Sequence, residues 1–146
     1  GFGDAVEPGV ADLELPVLLD LPSPRLRAYS RETVIAEKFQ AMVMLGRSNS
    51  RMKDFYDIWM LSRSYEFDPD RLAQAIAATF NRRKTPIPTA LPDALTRAFA
   101  EDPAKQKQWA SFIESIEMKS DSLPDVVEAL AAFLMPHTVE ASRRGG

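Results

Sequence analysis

Eleven prolines punctuate a chain of 146 residues, and they are unevenly spread. They crowd into the first 24 residues and the stretch 86–92, and otherwise stand alone at Pro69, Pro103, Pro124 and Pro136. Proline has no amide donor and clashes with the turn before it, so helices either lie between prolines or begin at them. The gaps are rich in Leu, Ala, Ile, Val and Phe at helical spacing. The pattern predicts a mainly α protein, a helical bundle with a short extended or β segment at its N-terminus.

Three regions follow. Residues 1–29 read as an extended opening segment. Leu13-Glu14-Leu15-Pro16-Val17-Leu18-Leu19 is strand-like, and Pro16 confines it to a sheet edge. The chain opens in this extended material without a capped start, which suggests the end of a truncated sheet. Residues 30–135 read as a helical domain. Its first helix runs from the N-cap Ser30 to Gly46, carrying Val34, Ile35, Phe39, Met42 and Leu45. A second runs from Asn49 or Ser50 to about Ser62, and a third from Asp68 or Asp70 to the Asn81-Arg82-Arg83-Lys84 cluster. Three more are predicted over 92–100, 103–118 and 124–135. Residues 136–146 read as a loose tail beyond Pro136.

Composition removes several classes of chemistry. There are no cysteines, so a disulfide scaffold, a thiolate metal site and a cysteine nucleophile are all excluded. His137 is the single histidine, which excludes a multi-histidine metal cage within the chain. No metal-ligand set is predicted. No apolar run approaches the ~20 residues that span a bilayer, and no signal peptide opens the chain, so a cytoplasmic protein without a membrane partner is expected.

The net charge is −3, yet residues 25–63 run the other way. Arg25, Arg27, Arg31, Lys38, Arg47, Arg51, Lys53 and Arg63 outnumber Glu32, Glu37, Asp54 and Asp57 there. A local positive field favours a phosphate-bearing ligand. On charge alone, a solvated helix–loop–helix surface is the ordinary reading. Lys38 is less ordinary, because its helix neighbours Val34, Ile35, Phe39 and Met42 are apolar. Its ammonium either snorkels to water or projects into a cleft, where it would act as a point charge on polyphosphate. Asp54 and Asp57 are three apart and share a helical face, and Lys53 pairs with Asp57 at i, i+4. They either bridge to neighbouring elements or position a reacting group or lysine. Trp109 and Phe112 read as a core pair, and His137 carries no catalytic weight. No glycine-rich phosphate loop, zinc-protease helix or nucleophile elbow is present.

Ala36-Glu37-Lys38, followed by Arg51-x-Lys53-Asp54-x-Tyr56-Asp57, resembles the C-terminal half of the AbiEii/AbiGii-type nucleotidyltransferase toxins. Phe2-Gly3-Asp4 and Thr79-Phe80 with Arg82 and Arg83 resemble it more faintly. The resemblance covers residues 2–84 with recognisable motifs. It implies a polymerase-β-like enzyme that transfers a nucleotidyl group from a nucleoside triphosphate to an acceptor hydroxyl on RNA or protein, with Mg²⁺. Lys38 would then contact triphosphate, and Asp54 and Asp57 would be the acids of the second motif helix, making these three the catalytic candidates. Arg51 and Lys53 would bind the nucleotide phosphates or flank the acceptor. The family's glycine-serine turn with its Mg²⁺-holding aspartate pair does not occur in these residues. The expectation is therefore an active parent protein, an inactive isolated chain, and no Mg²⁺ or nucleotide bound to this piece. An antitoxin protein is the other partner that the resemblance implies.

Two readings from other classes remain open on the residues alone. One is a non-catalytic helical module that grips a partner, such as an antitoxin, through a groove built on Met42, Met44, Met52 and Met60. The other is an RNA-binding helical module that uses the basic stretch from Arg25 to Lys53.

Overall fold

The computed structural model describes residues 29–48 and 50–145. The extended segment expected over 1–29 lies outside the described residues, Tyr29 apart, as do Arg25, Arg27 and Asn49. Six helices account for most of the rest, and no strand occurs among the described residues. They are α1 (Arg31–Leu45), α2 (Met52–Ser64), α3 (Pro69–Arg82), α4 (Arg97–Ala100), α5 (Pro103–Ile116) and α6 (Leu123–Gly145).

The helix starts follow from capping chemistry. Ser30 Oγ accepts from the Thr33 amide at 3.2 Å, satisfying a donor that α1 leaves unpaired at its first turn. Asp68 and Asp102 do the same for α3 and α5, at 2.9 and 2.8 Å, each directly before a proline at the first helical position. α1 stops at Gly46, whose φ of +52° lies in the left-handed region where a Cβ is strained, and whose amide reaches back to the Met42 carbonyl.

α6 reaches the most neighbours, touching α2, α3, α4 and α5, while α1 lies against α2 and α3 and α5 leans on α2. α1 is buried nearly all round rather than along one stripe, with polar Glu37, Lys38 and Gln40 enclosed beside Val34, Ile35, Phe39 and Met42. Aromatic pairs join the helices: Phe39 meets Phe80 of α3 at 5.5 Å between ring centres, and Phe55 stacks on Phe99 of α4 at 5.5 Å. Polar ties are equally specific. Arg82 and Arg83, at the end of α3, both bind the Glu37 carboxylate, Arg83 Nε at 2.9 Å. Gln40 donates to Thr85 Oγ1 at 2.9 Å. The cationic cluster that ends α3 is thus the clasp that holds it to α1.

Two expectations need correction. The helix predicted over 92–100 is a 3₁₀ turn, Asp93–Leu95, followed by the four-residue α4. Thr96 breaks it: its backbone is extended, and its hydroxyl caps the Phe99 amide instead of continuing the turn. The last helix does not stop at residue 135 with a loose tail beyond, because α6 continues through Pro136 to Gly145. Thr138 Oγ1 donates to the Leu134 carbonyl at 2.8 Å beside the proline, Ala141 is fully buried, and Arg144 meets Asp70 of α3 at 2.5 Å. Contacts with α3 hold the segment helical where local propensity opposes it.

Candidate functional site

The loop after α1 carries the chain straight into α2, so the first two turns of α2 face the side of α1 that bears Lys38. Lys38 is only 5% exposed, and its ammonium lies 2.9 Å from Asp57 Oδ2 and 3.3 Å from Asp54 Oδ1. A buried ammonium is tolerated only when paired, and this one has two carboxylates. Asp57, with no exposed surface, shares its Oδ2 with Lys53 Nζ at 2.7 Å. Asp54 is held from outside by Arg51 Nε, 3.0 Å from its Oδ2. The five residues singled out from sequence therefore form one continuous ionic cluster. Three cations face two carboxylates, which leaves one positive charge in excess.

This cluster borders a cleft of about 840 Å³. Lys38, Arg51, Lys53 and Asp54 line one side together with Ser50 and Met52. The opposite wall is α5, through Ala104, Lys107, Gln108, Ser111 and Phe112. Asp57 is not part of the lining. It lies behind Lys38 and Lys53, where it fixes both ammonium groups. Lys38 has three N–H donors, of which the two aspartates take two, leaving one for a ligand.

Burial drives the Asp54 carboxyl above its ordinary pKa, and the charges of Lys38 and Arg51 oppose that rise. The phenol of Tyr56 is also pushed up, first by burial and then by the Asp57 charge beside it. Its ring belongs to an aromatic group behind the cleft, 6.0 Å from Trp59, 6.4 Å from Trp109 and 5.8 Å from Phe112.

Among the described residues, the cations of the stretch 25–63 do not all gather at the cleft. Arg31 stacks over Tyr65 at 4.0 Å and Arg63 over Trp59 at 4.8 Å, leaving Lys38, Arg51 and Lys53 as the cleft group. Nor do the four methionines build a groove, because Met42 and Met52 are core, Met60 is half-buried and Met44 is exposed. The α5 wall was missed by sequence reasoning. Its signal is the stripe 104, 107, 108, 111, 112, which falls on one helical face, and Lys107, Gln108 and Ser111 on it are too polar for a core side.

A family model described as the nucleotidyl transferase AbiEii toxin of type IV toxin–antitoxin systems matches residues 1–132. The chain belongs to the AbiEii nucleotidyl transferase toxin family. No curated protein and no solved structure matches it. Membership makes a nucleoside triphosphate substrate and a metal consistent with this chain, and an antitoxin partner fits a toxin–antitoxin system.

The described residues do not fit a metal ion. No group of three or more His, Cys, Asp or Glu side chains gathers among them. Asp54 and Asp57, the acids nearest the cleft, spend oxygens on Lys38, Lys53 and Arg51. Among the described residues no helix is long and apolar enough to cross a membrane.

Proposed function

We propose that the cleft between α2 and α5 receives the triphosphate of a nucleoside triphosphate in a nucleotidyl-transfer reaction to an acceptor hydroxyl. The observation that carries this reading is the buried Lys38 ammonium, held by two aspartates at the cleft wall with one donor to spare. Lys38, Arg51 and Lys53 bind phosphate oxygens, and Lys107 adds a fourth cation from the far wall. Asp54 lines the cleft and holds the Lys38 and Arg51 side chains at its wall, so it sets where those two cations meet the phosphates. Asp57 is a positioning residue that acts through the two lysines. Asp54 and Asp57 are committed to the cations beside them, so a metal in such a reaction would need other carboxylates. With the family's aspartate pair not found in the sequence, these 146 residues alone are proposed not to transfer nucleotide.

Nucleotide binding by this piece replaces the expectation that it binds none, and calorimetric titration of the chain with inorganic tripolyphosphate tests the binding step. Saturable binding that weakens with added salt is expected, because cleft charges are partly screened. Arg51→Ala and Lys107→Ala each weaken it about fivefold, equivalent to about 1 kcal/mol, with the helical signal intact. No saturable binding, or affinity unchanged in both variants, overturns the reading. Label transfer from nucleotide to RNA by the isolated chain with Mg²⁺ would refute the claim about missing carboxylates.

A further inference from the structure

The two walls of the cleft differ in chemistry. The α1–α2 side is ionic. The α5 side offers one lysine, an amide, a hydroxyl and an aromatic ring, all on a single helical stripe. A ligand of phosphate alone would use Lys107 on that wall but leave Gln108, Ser111 and Phe112 without a counterpart. A volume of about 840 Å³ lies within the usual ~300–1,000 Å³ of small-molecule sites and exceeds what a bare polyphosphate fills.

From this asymmetry we infer that the α5 face is the nucleoside wall of the site, which seats the base on Phe112 and reads its edge with Gln108. The inference rests on the proposed triphosphate binding and extends it to the other end of the ligand. Phe112 is half-buried and lines the cleft while Tyr56 meets it edge-on at 5.8 Å and Trp109 lies 6.0 Å away. Those two rings fix its orientation, and a fixed ring is a stacking platform that loses little freedom on binding. Met52 borders the cleft on the facing side with only 3% of its surface exposed, so it backs the floor of the seat rather than covering the base. Gln108 and Ser111 sit one turn before and beside Phe112, both exposed, and neither is engaged elsewhere among the described residues. An amide carries two donors and an acceptor and can discriminate base edges, and a hydroxyl suits the ribose.

Competition binding on the full chain separates this inference from the reading beneath it. Tripolyphosphate and the four ribonucleoside triphosphates are compared on the unaltered chain and on Ser111→Trp, Phe112→Leu and Gln108→Ala. At least one nucleotide is expected to bind about tenfold tighter than tripolyphosphate, the gain that one stacked base provides. Ser111→Trp, which fills the seat from an exposed position, and Phe112→Leu, which keeps apolar bulk without the ring, both erase that gain. Both leave tripolyphosphate affinity unchanged. Gln108→Ala alters the ranking among the four bases. If tripolyphosphate binds and no nucleotide binds more tightly, the nucleoside wall is refuted while the triphosphate site stands. Equal losses for tripolyphosphate and nucleotides in Ser111→Trp refute it too, and should Phe112→Leu not fold, that variant decides alone. An unchanged base ranking in Gln108→Ala overturns the role of Gln108. Failure of tripolyphosphate itself to bind removes both readings.

Discussion

Asp57 has no exposed surface, and its Oδ2 answers two ammonium groups while Oδ1 has no hydrogen-bond partner. Such a carboxylate is stable only because both lysines are there, and in return it orients Lys53 and, together with Asp54, Lys38. Removing one member of a buried ion group strands the others, at a typical cost of about 3–5 kcal/mol. Asp57→Ala should therefore lower the unfolding free energy measured by guanidinium titration by an amount in that range, with the midpoint falling accordingly. An exposed pair such as Arg97 with Glu101 is worth far less, and Arg97→Ala should leave the midpoint almost unmoved. Equal effects from the two substitutions would mean that the cluster is not a structural keystone. The sequence spacing brought Lys53 and Asp57 together on one helix. It left open whether Lys38, sixteen positions before Asp54, pointed at the same carboxylates.

The starts of α1, α3 and α5 were legible because their signals are local, whereas α2, expected from Asn49 or Ser50, begins at Met52 without a side-chain cap. Ser30, Asp68 and Asp102 each satisfy an amide two or three positions ahead, and such a bond needs nothing from elsewhere in the chain. Helix ends were less so. Pro136 argues for a stop, and α6 runs through it because Ala141 and Arg144 dock further along. A helix-interior proline is disfavoured by about 3 kcal/mol relative to alanine. Pro136→Ala should accordingly stabilise the protein by about 1–3 kcal/mol, the lower end applying if the helix has already relaxed around the ring. Thermal unfolding followed by circular dichroism reads this directly, and a lowered melting temperature would show that the proline bend is needed for docking. The reverse error occurred at Thr96, where a hydroxyl cap outweighed an apolar pattern that reads as one helix.

Across the whole molecule, stability responds to pH through groups far from the cleft as well as within it. His137 is half-buried on α6, 5.7 Å from the Phe133 ring, which itself meets Phe67 at 5.6 Å. Burial lowers its pKa below the ordinary 6.5, so the fold favours the neutral imidazole and the unfolded chain binds more protons between the two values. Its contribution is complete above pH 6.5 and is lost as pH falls through the folded value. Urea midpoints should drop over that window, and His137→Gln should flatten this part of the profile; an unchanged slope would assign the loss to other groups. The sequence by itself determined the helical class, the caps, and the two motif helices with their lysine and aspartates, because each depends on neighbours within about one turn. Tertiary structure alone decided that Asp57 lies behind the cleft while Asp54 borders it, and that Lys107, Gln108 and Ser111 of α5 face them. Which surfaces meet depends on how whole helices pack, and no spacing along one helix encodes the distance to another.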